Sequence, residues 1–280
     1  MDTNLATPTP VPARRRLAAL ALAAVLAVGG VACGSDDDDG ATDAPDTTET
    51  TAATGDAPVG DPASSSDEPS GDADLLAFCE AHEAVEAAFM EGDESAIGAA
   101  VEAFTAAAPD EFRDAVDTAI GLALDGQEGS PEFVAAYGEL LDAMQEPCDR
   151  NLVAVSATDY AYDDVPEAWE AGPTVVKLRN DGTEFHHMVV YRVADGVTDS
   201  VEDLLPRSHE EGGPMTGVGA VDAMPGETGS SFLGLEPGRH IAMCLVPTGT
   251  TPENLDAIQA GEAGGPPHFE HGMYFEFTVA

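Results

Sequence analysis

An α+β chain of two modules, helical first and β second, is predicted by two features of the sequence. Apolar residues recur at helical spacing over about 73–149 and alternate at period two over about 150–280. Gly and Pro punctuate the second stretch into short runs, as strands of a sandwich require. A third feature sets the functional question. Phe185-His186-His187-Met188, Ala242-Met243-Cys244-Leu245 and Pro267-His268-Phe269-Glu270-His271-Gly272-Met273 each place metal-ligating side chains at the end of a strand-like run.

The chain opens on a segment of another kind. Arg14-Arg15-Arg16 precede an Ala- and Leu-rich run from Leu17 to Val31, too short for a comfortable membrane span. Gly29-Gly30-Val31-Ala32-Cys33-Gly34 follows and resembles the lipobox of bacterial lipoproteins, with Gly30 where that family usually has Leu. The resemblance implies a signal peptide over 1–32 and a diacylglyceryl group on Cys33. Two acyl chains would anchor the mature chain stably at the outer face of the cell membrane. Residues 33–72 are mostly Asp, Thr, Ser, Pro, Ala and Gly, with Asp36-Asp37-Asp38-Asp39 near the start. Such a segment has little to bury and is expected to be a disordered linker reaching roughly 35 Å or more. The four aspartates lack the interleaved Gly and terminal Glu of a calcium loop and read as a solvated charge run.

The formal net charge is −43, from 10 basic and 53 acidic residues, and removing the leader takes three of the basic ones. A field of that sign disfavours nucleic-acid phosphate and anionic headgroups as partners.

The helical pattern begins with Leu75, Phe78, Cys79, His82, Val85 and Phe89, and Gly92-Asp93 breaks it. Ile97, Val101 and Phe104 mark a second helix. Pro109 with Asp110 and Glu111 opens a third, since proline suits the first turn and acids suit its dipole. Phe112, Val116, Ile120 and Leu124 line it, and Gly126 ends it. Ser130-Pro131 caps a fourth, lined by Phe133, Tyr137, Leu140, Leu141 and Met144. Four amphipathic helices with short connections predict an up-down bundle. Cys79 and Cys148 then fall at one pole, which predicts a disulfide in an exported protein. His82 reads as a core or partly exposed histidine rather than a ligand.

Strands are expected over Leu152–Ser156 continuing into Tyr160–Tyr162, then Thr174–Arg179, His186–Val193, Ser231–Leu235, Arg239–Leu245 and Met273–Ala280, with a short helix near Ser200–Arg207. Adjacent strand residues face opposite ways, so one of His186 and His187 joins Cys244. Alternation with Val189 and Tyr191 points His187 inward, whereas the spacing from Gly182 favours His186.

The Tyr-rich opening strand, Ala171-Gly172-Pro173-Thr174-Val175, Asn180-Asp181-Gly182 before histidine, Pro237-Gly238 leading to Cys244, and His268 with Met273 before the last strand resemble the plastocyanin-like cupredoxins over most of 151–280. That resemblance implies a Greek-key β-sandwich and copper held by His186, Cys244, His268 and Met273; strand alternation offers His187, and strand-end geometry His271, as substitutes. The chain departs from the family in two respects, the ambiguous upstream histidine and an insertion. Some twenty residues, roughly Thr248 to Pro266, separate Cys244 from His268, with a short helix expected over Pro252–Gln259. Two imidazoles, a thiolate and a weak thioether suit a copper that changes oxidation state. Cys33, Cys79 and Cys148 have other uses, so Cys244 is the thiol left over. His240 lies about 13 Å along the strand from Cys244, too far to share a metal. His209 reads as exposed loop, Met188 and Met243 as core, and Trp169 as packing at the sandwich edge.

Two functions follow. One is a lipid-anchored copper protein able to carry electrons to a redox or envelope protein partner. The other is a metal-free binding or scaffold module. No Ser-His-Asp order, phosphate loop or tight zinc motif points to an enzyme.

Overall fold

The computed structural model describes residues 70–280, Glu262 excepted, and side chains from residue 73 onward. The leader, Cys33 and most of the acidic linker lie outside the described residues. Among the described residues, no helix is long and apolar enough to cross a membrane.

Four helices come first: α1 (Ser70–Glu91), α2 (Glu94–Ala107), α3 (Asp110–Leu124) and α4 (Pro131–Gln145). Their ends are written locally. Gly92 takes φ 71° and closes α1, after which the Asp93 carboxylate accepts from Ser95 N–H (2.9 Å) and Ala96 N–H (3.2 Å) to cap α2. Ser130 Oγ accepts from Phe133 N–H at 3.1 Å, with Pro131 in the first turn. Phe78 is the hub, stacking on Phe104 at 4.9 Å and Phe112 at 5.1 Å. The expected disulfide joins Cys79 to Cys148 with Cα atoms 5.6 Å apart. Closing a loop of 69 residues stabilises the helical region by about 4 kcal/mol on chain entropy alone.

Eight strands then form two four-stranded sheets. They are β1 (Asn151–Thr158), β2 (Ala161–Asp163), β3 (Gly172–Asn180), β4 (His186–Val193), β5 (Met215–Ala223), β6 (Thr228–Leu235), β7 (Gly238–Met243) and β8 (Tyr274–Val279). The orders are β2-β1-β3-β6 and β5-β4-β7-β8, with β1 parallel to β3 and the other pairings antiparallel. The core between the sheets takes in Val155, Leu178, Met188, Val190, Leu233 and Cys244. Trp169 is 1% exposed, bridges Val279 and lays its ring 4.1 Å from Phe277, closing the edge.

Both sheets are covered on their outer faces. A short helix α5 (Val201–Leu204) and a 3-10 turn over Leu205–Arg207 lay Leu204 and Leu205 on Tyr191, Ile241 and Met243. Across the other sheet, Leu141 of α4 meets Val175 and Phe232, and Asp142 pairs with Lys177 at 2.6 Å.

The structure corrects three expectations. The opening strand does not run on through Tyr160–Tyr162. It stops at Thr158 and returns as β2 through Asp159-Tyr160, with Tyr160 at φ 70°. A strand over Met215–Ala223 also exists where none was expected, because Gly217 and Gly219 dilute its apolar alternation. The extra segment between Cys244 and His268 carries α6 (Leu255–Gln259), shorter at its start than expected.

Candidate metal centre

His186 opens β4, Cys244 follows β7, and His268 opens a 3-10 turn (His268–His271) that leads into β8. A backbone mesh holds the Cys244 and His268 ends together with Met273, and β4 brings His186 beside them through its pairing with β7. Cys244 N–H donates to Met273 O (3.0 Å), Phe269 N–H to Cys244 O (2.9 Å), His268 N–H to Val246 O (2.9 Å) and Met273 N–H to His268 O (3.2 Å). The segment from 248 to 266 leaves this mesh intact because its neck is closed. Thr248 N–H donates to Pro266 O at 2.9 Å, Gly265 N–H returns to Thr248 O at 3.0 Å, and Pro247 bridges Pro267. A Cβ on Gly265 would come within 2.9 Å of Thr248 Cβ, so glycine is what lets the two arms meet.

The side chains converge accordingly. His186 Nδ1 lies 3.1 Å from His268 Nδ1, and Cys244 Sγ lies 3.3 Å from His268 Nδ1. All three residues are fully buried, and their ligating atoms fall within 4.8 Å of one another. Met273 is also fully buried and shares the core cluster of Cys244.

Carboxylates face the outer edge of each imidazole. His186 Nε2 lies 3.2 Å from Asp159 Oδ1, and His268 Nε2 lies 3.0 Å from Glu184 Oε2. The carboxylates are themselves positioned. Asp159 accepts from Thr183 N–H (2.9 Å) and Thr183 Oγ1 (2.7 Å), while Glu184 accepts from the Tyr160 hydroxyl (2.8 Å). These bonds hold both carboxyls below their ordinary range against the opposing pull of desolvation, the largest single influence on each.

The donor set fits a soft metal cation. With each Nε2–H given to a carboxylate, both Nδ1 atoms carry lone pairs. Two such lone pairs lie 3.1 Å apart; the Cys244 thiol proton can satisfy only one of them, whereas a metal cation among them satisfies both. The paired carboxylates orient the rings and raise their basicity, as outer partners of metal-bound histidines do. Burial keeps both imidazoles neutral, lowering His186 and His268 from the usual value. Burial also pushes the Cys244 thiol up to about 12, while the backbone N–H groups of His187 and Val246 favour its thiolate. A bound metal overcomes that penalty outright. The His186, Cys244 and His268 cluster is compatible with copper.

No family model matches the chain, and no curated protein matches it. Among solved structures it is similar to a dithionite-reduced auracyanin from the photosynthetic bacterium Roseiflexus castenholzii, at 16% identity and TM-score 0.30. That match covers 46% of this chain and 97% of the other. It is similar to auracyanin B at 17% identity and TM-score 0.30, over 46% of this chain and 88% of that one. It is similar to auracyanin A, a "blue" copper protein from Chloroflexus aurantiacus, at 12% identity and TM-score 0.29, over 46% and 100%. Scores this low leave the copper reading to rest on the residues themselves.

The structure separates the adjacent histidines. His187 turns away from Cys244, accepts from Leu245 N–H through Nε2 at 2.7 Å, and lies 3.7 Å from Asp222 through Nδ1. Burial, with the nearby His268 and His186, lowers it to about 3, so it stays neutral. His271 is exposed, its ring 5.0 Å from Tyr160. His240 is buried 5.3 Å from Phe277, and His209 is exposed. Sequence reasoning missed Asp159, Tyr160 and Glu184. The signal available for the first two was Thr158-Asp159-Tyr160-Ala161, two turn-forming positions between alternating runs.

Proposed function

We propose that this chain is an exported copper protein whose cupredoxin-like, Greek-key C-terminal sandwich carries single electrons, tethered to the outer face of the cell membrane through a lipidated Cys33. The convergence of His186 Nδ1, Cys244 Sγ and His268 Nδ1 in one buried pocket supports this reading. Met273, fully buried in the same core cluster as Cys244, would add a weak thioether ligand. Copper bound there would supply a one-electron couple between its two common oxidation states.

The protein's own groups do the rest. Asp159 and Glu184 fix the two rings, so no side chain has to reorient when charge changes. The His187 and Val246 N–H groups spread negative charge off the sulfur. Burial of both imidazoles and the thiol excludes water and exogenous ligands. Such a closed site retains its metal, which favours electron transfer over metal delivery and over turnover of a substrate. The leader's lipobox-like residues support the anchor, and the length of the acidic linker suits reach toward a redox partner in the envelope.

The test is one equivalent of Cu(II) added to the mature chain. An intense thiolate-to-copper absorption in the visible, lost in Cys244→Ser, is expected. Absence of that band, with no rise in Tm on adding copper, overturns the assignment and leaves a metal-free binding module.

A further inference from the structure

The helical region holds a second site, remote from the ligand cluster. A cavity of about 480 Å³ lies among all four helices and reaches β5 and β6. That volume falls in the range of small-molecule pockets. Its walls are mostly apolar, including Val85, Phe89, Ile97, Val101, Ile120 and Phe133.

A few polar groups converge on it. His82 lines the cavity at 1% exposure, and its Nδ1 has no hydrogen-bond partner. Its other nitrogen lies 3.5 Å from the Tyr137 hydroxyl, which donates to Glu86 Oε1 at 2.5 Å. Glu128 Oε1 is buried at the wall with no donor. Glu102 and Asp222 line the cavity too, and no Lys or Arg does. Arg150 is not among the lining residues, but its guanidinium, 4.9 Å over the Phe232 ring, is buried with no hydrogen-bond partner and acts on Glu86 and His82 from behind the wall.

An orphaned buried ring nitrogen and an orphaned buried carboxylate oxygen cost free energy unless something bonds them. Both are on hand to accept. A ligand carboxylate would meet four acids, Glu86, Glu102, Glu128 and Asp222, with no cation lining the cavity and only Arg150 behind its wall. We propose that this cavity binds a small, largely apolar molecule ending in a hydrogen-bond-donating amine or hydroxyl, and that it rejects the corresponding carboxylate. Burial raises Glu86 to about 7, against the opposing pull of the Tyr137 hydroxyl and of Arg150. The site stands apart from the copper reading, and neither depends on the other.

The test uses the mature chain and N-phenyl-1-naphthylamine, an uncharged fluorophore that brightens in apolar surroundings. Saturable brightening is expected. Octylamine and octanol should displace the reporter at concentrations at least about tenfold below octanoate, a difference of about 1.4 kcal/mol. Gly98 lines the cavity from α2, and a Cβ there meets nothing within 4 Å. Gly98→Phe should therefore fill the space and abolish the signal with the helical circular dichroism retained. Ala123→Leu narrows the cavity from α3 and carries the same expectation, so loss of fold in one variant leaves the other to decide. Glu86→Gln should cut the preference for octylamine over octanoate at least about threefold while leaving octanol unchanged. Equal displacement by octanoate, equal reporter binding by both filled variants, or no saturable brightening overturns the proposal.

Discussion

His186 and His187 are neighbours with opposite fates, and their difference is testable. His186 gives Nδ1 to the cluster, while His187 spends Nε2 on the Leu245 amide. His186→Ala should abolish the visible copper band. His187→Gln keeps an acceptor for Leu245 N–H and should retain the band, read in the same titration. Gly182 shows how closely the outer carboxylate is fitted. A Cβ at 182 would collide with Asp159 Oδ1 and lie 2.8 Å from His186 Nε2. Gly182→Ala should therefore split Asp159 from His186 and weaken copper affinity about 10- to 100-fold, as loss of an outer partner typically does, measured by competition with a copper chelator. Glu86 carries a pH dependence of its own. Its folded value of about 7 exceeds the ordinary 4.5, so the folded state holds the proton more tightly. Stability from that proton is full below about 4.5 and is lost as pH rises to 7. Between pH 5 and 8 the parent should lose about 2–3 kcal/mol relative to Glu86→Gln in urea unfolding, a gap set by the size of the shift.

At the level of elements, what could be read from the sequence depended on whether one face or two were buried. The four helices were legible because each keeps a polar face, and Asp93, Pro109 and Ser130-Pro131 mark their starts. β4 was harder. Its inner face packs Met188 and Val190 in the inter-sheet core, and its outer face packs Tyr191 and Val193 under Leu204 and Leu205. With both faces apolar, alternation no longer says which side is in, and it pointed to His187. The Asp159-Tyr160 turn was lost for a similar reason, since tyrosines on either side read as one continuous strand. The effect of the extra segment could not be read either, because a closed neck depends on backbone bonds between 248 and 266 that no residue pattern announces. That neck allows a sharp experiment. Thr248 and Gly265 sit opposite each other, so Asn-Gly in place of 249–264 should make a two-residue hairpin. The ligand mesh does not use the deleted residues, so the copper band should persist. Two covering contacts would go: Phe185 N–H to Thr250 O at 2.8 Å and Gly249 N–H to Glu184 at 2.5 Å. The trimmed protein should then be reduced by ascorbate faster than the parent, followed by bleaching of the band in stopped flow.

At the scale of the whole molecule, charge rather than packing sets the response to solvent. Among the described residues, the exposed or half-buried basic side chains are all committed. Arg113 pairs with Asp110, Lys177 with Asp142, Arg179 with Asp181, Arg192 with Asp195 and Glu236, Arg207 with Asp199 and Glu210, and Arg239 with Glu276. Arg150 is buried. The remaining acids face one another across the surface with nothing to offset them, at a formal net charge of −43 for the full chain. Two opposed effects of salt follow. Screening weakens the pairs, each worth at most about 1 kcal/mol when exposed. It also relieves repulsion among a far larger number of acids, and repulsion acts over a longer range than the pairs do, so it is screened more completely. Relief wins on number and on range. The Tm of the metal-free protein should therefore rise between about 10 mM and 500 mM NaCl, by about 2–4 °C for each kcal/mol of repulsion removed. Magnesium chloride should reach the same rise at lower ionic strength, because divalent ions accumulate more strongly at a dense acidic surface. A Tm that falls with salt in scanning calorimetry would mean that the few pairs outweigh the surplus acids.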